Sequence, residues 1–167
     1  MASAIINDNI HVNYGASDGA VTGGSTITIL TSHGREELTL SGGEYALTIT
    51  DFTKDAPGKI TFIIDQAVGV TFTNVPTFSN GASYADITFK MTTPGGTLTL
   101  PAGWGGDSII DCQAGSVSVL AGITSLPTLK GVVGSKLTLS ADITTGTQKK
   151  LSGMKGKLVT GGALTLD

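Results

Sequence analysis

Between residues 27 and 100 the chain repeats one short unit, in which a threonine stands between two apolar residues: Ile27-Thr28-Ile29, Leu38-Thr39-Leu40, Leu47-Thr48-Ile49, Ile60-Thr61-Phe62, Val70-Thr71-Phe72, Ile87-Thr88-Phe89 and Leu98-Thr99-Leu100. Similar units follow at Val117-Ser118-Val119, Leu137-Thr138-Leu139 and Leu164-Thr165-Leu166. Successive side chains of a β-strand point to opposite faces, so each unit places two apolar side chains on one face and a hydroxyl on the other. Each unit therefore predicts the centre of a half-buried β-strand.

The spacing of the units suggests how the strands are connected. The segments between them are rich in Gly, Pro, Asn, Asp and Ser, which favour turns. The units that begin at residues 27, 38, 47, 60 and 70 follow one another at steps of 9 to 13 residues, a spacing typical of antiparallel sheets. Links 31–35 and 41–44 have the length of hairpin connections. We therefore predict an all-β fold with an antiparallel β-sandwich or barrel-like domain over residues 25–105.

The composition changes near residue 105. All nine aromatic residues lie before this point, and Trp104 is the last of them. Residues 106–167 keep the strand pattern with Leu, Ile and Val at intervals of roughly 20 residues, which suits a second sheet, a short β-solenoid or strands that pair with other subunits. We expect so small a segment to pack against the first part or against copies of itself. Residues 1–24 are predicted to form an N-terminal arm with one short strand around Ile10 to Tyr14.

Charged residues are few and unevenly distributed. They make up 14% of the 167 residues, against 40% apolar residues, which indicates a folded chain. Residues 1–112 hold 11 acidic and 4 basic side chains, whereas residues 113–167 hold 2 acidic and 6 basic ones. The net charge of −3 does not favour nucleic acid. The basic end is either a solvated face or docks on an acidic partner, such as the acidic end of a neighbouring subunit. The docking residues would be Lys149, Lys150, Lys155 and Lys157.

The cysteine count and the first residues bear on where the protein is made. Cys112 is the only cysteine, so an intrachain disulfide is impossible. The first residues lack the basic and apolar regions of a secretory signal, and no apolar run approaches the length of a membrane span. We expect a soluble product made in a reducing cytoplasm, with no membrane partner.

Few residues carry a pattern that points to catalysis. His11, His33 and Cys112 stand apart, so neither a zinc site nor a cofactor is predicted. There is no Gly-x-Ser-x-Gly nucleophile motif and no phosphate-binding loop. Asp107 and Asp111 lie near Trp104 and could form the carboxylate pair of a glycosidase, although the composition around Asp107 is also that of a turn. We therefore expect a protein that is not an enzyme.

Two aromatic residues suggest a binding function of another class. Trp104 and Tyr84 could stack on sugar rings, as in a carbohydrate-binding module or an adhesin domain. The alternative is that both rings pack in the core, which is the more frequent role of large aromatic side chains.

Residues 43–107 resemble the small β-domains of bacteriophage virion proteins, such as tail fibres, head fibres and capsid decoration proteins. The likeness lies in Thr-rich strands separated by Gly, in Val70-Thr71-Phe72, and in the corner Gly96-Thr-Leu-Thr-Leu-Pro-Ala-Gly-Trp-Gly-Gly-Asp107. It implies a virion protein without a cofactor, assembled as a homotrimer, with the major capsid or tail protein as partner. The chain lacks a heptad coiled coil and a collagen-like run, which favours a decoration, cement or short-fibre role over a long fibre.

Overall fold

A computed structural model describes residues 2–6, 10–13, 25–29, 35–41, 47–54, 57–65, 69–92 and 94–167. It describes side chains from Thr48 onward, apart from those of Thr50, Asp65 and Val117. The predictions made for His33, for the arm residues 14–24 and for most of the links 31–35 and 41–44 lie outside the described residues.

Within the described residues, sixteen strands form two sheets. The first sheet contains, in spatial order, β1 (Ala2–Ile6), β3 (Ser25–Ile29), β5 (Leu47–Lys54), β7 (Val70–Phe72), β10 (Thr97–Thr99), β12 (Val117–Ala121), β14 (Lys136–Leu139) and β16 (Lys157–Thr160), with β8 (Thr77–Phe78) also paired to β5. The second sheet contains β2 (Ile10–Asn13), β4 (Arg35–Ser41), β6 (Lys59–Asp65), β9 (Ile87–Met91), β11 (Ile109–Cys112), β13 (Thr128–Gly131) and β15 (Gly153–Met154). Two short 3-10 turns cover Tyr84–Asp86 and Gln148–Leu151.

The two sheets are the sides of a parallel β-solenoid. Every pairing between these strands is parallel. Apart from β8, which follows β7 within the first sheet, the chain passes alternately through the two sheets, so strands pair with those of the preceding and following coils. Paired residues therefore lie 19 to 28 positions apart, as in Ile110 with Leu129 and Leu98 with Val70. From β5 to β16 the chain completes about five turns.

The all-β class is confirmed, but the predicted antiparallel sandwich or barrel is wrong. Consecutive units, such as those on β3 and β4, lie in different sheets instead of pairing as a hairpin. Two later links that the structure describes act as corners. Ser116 N and Ser135 N donate to Gln113 O and Val132 O at 3.1 Å, around Gly115 and Gly134 with φ of +77° and +90°. Such positive φ values favour glycine. The solenoid, left open above for residues 106–167 alone, includes both parts, because the ladders continue past residue 105.

A third, shorter side appears in the last coils. Ser125 pairs with Thr145 and Ile143 with Leu164, both in parallel bridges. Leu126 N donates to Thr145 O at 2.8 Å, and Thr165 N donates to Ile143 O at 3.0 Å. The C-terminal coils are therefore held together on three sides.

One hydrophobic core runs through the described coils, from Ile49 to Ile143. Its aromatic part is a stack of rings, in which Phe62 lies over Phe89 with centroids 5.3 Å apart and planes 18° apart. These two residues are register partners 27 positions apart, whereas Ile110 and Leu129 are only 19 apart. Trp104 is the last aromatic residue of the core, and the buried positions after it are filled by aliphatic and small side chains.

The predicted inward and outward faces are confirmed for most units that the structure describes. Both apolar residues are buried, and the threonine between them is partly exposed, in the units that begin at residues 60, 70, 87, 98 and 137. The unit at residues 117–119 has the opposite phase, because Ser118 is fully buried and Val119 is partly exposed. In the unit at residues 164–166 both leucines are only partly buried. Ser118 and Leu120 on β12, and Ser116 directly before it, are buried in the core. The Ser118 hydroxyl finds no hydrogen-bond partner among the described residues.

Replacing Ser118 should therefore stabilise the fold. We expect Ser118→Ala to raise the free energy of unfolding by about 1 kcal/mol, because it removes a buried hydroxyl without a partner. Ser116, directly before the same strand, is a matched control, since this residue is equally buried and its Oγ donates to Gln113 O at 2.7 Å. Ser116→Ala should lower the free energy of unfolding by about 1 kcal/mol. Chemical denaturation measures both values, and equal changes in the two variants would contradict the assigned orientation of β12.

Candidate functional site

A polar depression of about 270 Å³ lies beside the corner that leads into β11. Its residues come from successive coils: Gly106 and Asp107 precede β11, Ser125 follows β12, and Thr145 follows β14. The remaining lining residues are Gly146, Thr147, Lys150 and Asp167. The parallel coils bring these groups together, although they are spread over about 60 positions of the sequence.

Lys150 holds the depression together. Its Nζ donates to Gly106 O and to Leu126 O, the latter at 3.0 Å, and lies 3.8 Å from Asp107 Oδ1. A Cβ at Gly106 would lie 2.8 Å from Lys150 Nζ and 2.9 Å from Leu126 O, so this position requires glycine. The ammonium group links the 3-10 turn at residues 148–151 to two earlier coils. Its role here is structural.

Two hydroxyl groups that line the depression form a hydrogen bond with each other. Ser125 Oγ and Thr145 Oγ1 are 2.9 Å apart, 20 positions apart in the sequence. Thr124, which precedes Ser125 and does not line the depression, donates its hydroxyl to Ala102 O at 3.0 Å. Ser125 and Thr145 were not predicted as site residues, although Thr124-Ser125 and Thr144-Thr145 repeat at the coil spacing and could have indicated them.

The two acids considered for a glycosidase lie in different surroundings. Asp107 lines the depression, and its side chain is 79% exposed beside Lys150. Asp111 is on β11, where Ile110 and Cys112 face the core, so Asp111 faces outward. Its register partners are Lys90 and Lys130 of the adjacent strands. Asp111 is not among the residues that line the depression, and the structure does not place the two carboxyl groups around one cleft.

Trp104 lies in the core, where its ring is 1% exposed. It contacts Phe72 edge to face at 5.4 Å and Tyr84 at 5.6 Å, and its Nε1 donates to Ser108 Oγ at 3.1 Å. The Tyr84 ring is partly buried, and its hydroxyl donates to Gly103 O at 3.3 Å. Burial raises the pKa of the Tyr84 phenol. A sugar ring would reach the face of Trp104 only if this packing were opened.

Cys112 is a buried thiol on the inner face of β11. Burial, and secondarily the adjacent Asp111 carboxylate, raise its pKa to about 12. The thiolate is the nucleophilic form of cysteine. Cys112 is therefore a core residue that is protonated at neutral pH.

The four lysines proposed for docking separate into two groups. Lys149, Lys155 and Lys157 are exposed, whereas the Lys150 side chain is only 25% exposed and bonds to the backbone as described above. Lys157 on β16 is in register with Lys136 on β14. Three of the four lysines are thus exposed, and they lie in the 3-10 turn, after β15 and on β16 of the last coil.

Neither a metal site nor a membrane span is found in the part of the chain that the structure describes. No group of three or more His, Cys, Asp or Glu side chains there could hold a metal ion. No helix in these residues has the length and apolar character required to cross a membrane. His11 lies on β2, and its side chain is outside the described set. Comparisons with protein-family models, curated proteins and solved structures find no match to this chain.

The structural role of Lys150 can be measured against its neighbour. We expect Lys150→Met to lower the free energy of unfolding by about 1–3 kcal/mol, because two backbone carbonyls lose a charged donor. The exposed pair with Asp107 should contribute little of this. Lys149→Met is the matched control and should change the free energy of unfolding by less than about 0.5 kcal/mol. Equal effects in chemical denaturation would contradict the assigned contacts.

Proposed function

We propose that this chain is a non-enzymatic structural protein of a bacteriophage particle, which decorates or stabilises the capsid or the tail as a homo-oligomer. On this proposal it is made in the host cytoplasm and resides on the virion. Its partners are copies of itself and the major capsid or tail protein. The resemblance of residues 43–107 to phage virion domains suggests this role.

One observation supports the proposal best: Lys150, Ser125 and Thr145, which line the depression, form hydrogen bonds within the protein. Lys150 donates to two carbonyls, and Ser125 bonds to Thr145. A catalytic or ligand-binding cleft instead presents convergent polar groups that are available to a substrate. The solenoid interior is filled by one continuous side-chain core. These features favour a rigid scaffold over an enzyme.

The carbohydrate-binding alternative is less well supported. It requires an aromatic face open to solvent, and the Trp104 ring is 1% exposed. Tyr84 packs against Phe78 with ring centroids 4.8 Å apart. We therefore do not propose a glycan-binding function for these rings.

A particle protein needs surfaces for its own copies and for the particle. The corner between β13 and β14 presents two apolar side chains, Val132 at 41% and Val133 at 79% exposure. They could bury apolar area in a side-by-side contact between solenoids. The exposed Lys149, Lys155 and Lys157 offer a basic surface for an acidic partner. A homotrimer, suggested by the resemblance alone, is the proposed oligomer.

The proposal places the gene for this chain in a phage genome. Particles of that phage, purified on a density gradient, should contain the chain in stoichiometric amount, measured by quantitative mass spectrometry of the whole particle. The major capsid protein serves as the internal standard. Particles that lack the chain, or a gene outside any phage or prophage, would overturn the proposal.

The oligomeric state can be measured on the isolated chain. Multi-angle light scattering of a dilute sample should give about three times the 16.9 kDa of one chain. Val133→Asp should reduce this mass, because a charge at the exposed corner opposes burial between copies. Val75→Asp is a control at another exposed valine, which is 45% exposed and lies in the loop between β7 and β8. A monomer at every concentration would contradict the proposed homotrimer.

A further inference from the structure

The C-terminal end of the solenoid exposes two strand edges. β16 ends the first sheet and β15 ends the second, and neither pairs on its outer side with another described strand. Lys157 N and Gly161 N donate inward to Ser135 O and Leu139 O. Backbone groups alternate in direction along a strand, so the N–H groups of Leu158 and Thr160 point to the outer edge. A free edge of this kind can add another parallel strand.

The same end has incompletely buried apolar side chains. Leu137, Leu139 and Ile143 of the preceding coil are at most 1% exposed, because coils cover them on both sides. Their counterparts in the last coil pack against the core but are only partly buried: Leu151, Met154, Leu158, Leu164 and Leu166. In solenoids each repeat is stabilised by its neighbours, and a terminal repeat needs a cap. A further coil is the shape that would complete their burial.

The net charges of the two ends of the chain indicate which end of a second copy could supply this coil. Residues 113–167 carry 6 basic and 2 acidic side chains, and Lys155 and Lys157 are exposed at this end. Residues 1–46 carry 5 acidic side chains and 1 basic one. β1 and β2 are the outermost strands at the opposite end of the two sheets. β1 and β2 carry no acidic side chain themselves, and Glu36 and Glu37 lie on β4, the strand next to β2. The net charges of the two segments favour a contact between a C-terminal and an N-terminal end, whereas two C-terminal ends would repel.

We propose that β16, in the C-terminal coil formed by β15, β16 and residues 163–167, docks end-on onto β1 of a second copy. The ladder of the first sheet then continues in the same parallel sense across the junction. β15 and β2 remain separated by the space of one strand, because the chain begins and ends with a strand of the first sheet. The inference rests on the homo-oligomer proposed above and adds a second contact to it, since a side-by-side trimer leaves both ends of each solenoid available. An end-on contact is heterologous and does not close, so it produces an open series of species.

The outer edge can be blocked without disturbing the inner one. Thr160 is exposed, and its N–H points away from β14, so Thr160→Pro removes an outer donor but no bond to β14. Thr160→Val is the matched control, because it changes the side chain and keeps the N–H. Thermal unfolding followed by circular dichroism should give similar melting temperatures for both variants, which shows that the fold is intact.

Sedimentation velocity over a concentration series tests the contact. The wild-type chain and Thr160→Val should form species larger than the closed oligomer as concentration rises, and added salt should reduce them. Thr160→Pro should weaken this growth about tenfold, the effect of losing about one hydrogen bond. Growth that is equal in Thr160→Pro and wild type, or absent in the wild type, would overturn the end-on contact. If the chain forms a trimer that does not grow further, the end-on contact is contradicted and the proposed function is not. If larger species form directly from monomers, the proposed homotrimer is contradicted and the end-on contact is supported.

Discussion

The structure depends on backbone hydrogen bonds between residues one coil apart. Because the strands are parallel and in register, each inward side chain lies beside the inward side chains of the adjacent coils. Phe62 and Phe89 stack for this reason, and so do the aliphatic residues Ile110 and Leu129 further along. The change of composition at Trp104 falls within one continuous core, in which aromatic side chains are followed by aliphatic and small ones.

The strand positions could be predicted from the sequence, but the pairing could not. Alternation of apolar residues and threonine locates a strand and its buried face, and this holds for antiparallel and parallel sheets alike. The steps of 9 to 13 residues fit a hairpin, and they also fit half a coil. The distinguishing signal was Gly115-Ser116 and Gly134-Ser135, two identical corners 19 positions apart. Earlier coils hide this period, because the 3-10 turn Tyr84–Asp86 and β8 lengthen the connection between β7 and β9.

The candidate site was predicted only in part, for a related reason. Lys150 was grouped with Lys149, Lys155 and Lys157 because sequence alone shows their common charge and proximity. Its contacts with Gly106 and Leu126 depend on which coils are adjacent, since these residues lie 44 and 24 positions away. The orientation of Ser118 could not be predicted from the sequence either. The pattern Val117-Ser118-Val119 predicts an outward hydroxyl, but the corner at Gly115 brings the chain into β12 in the phase that turns Ser118 inward.

The interactions that stabilise the middle of the solenoid also determine how its ends behave. A middle coil has both edges paired and both faces of its apolar layer covered, whereas β15 and β16 are paired on one edge only among the described strands. Exposed strand edges promote uncontrolled association, and lysine near an edge is a common protection. Lys155 and Lys157 are placed at this edge. Positive charge there opposes pairing of two identical ends. On the end-on contact proposed above, the same charge would favour the net acidic N-terminal segment of another copy, so the protection would restrict association at this edge to one orientation.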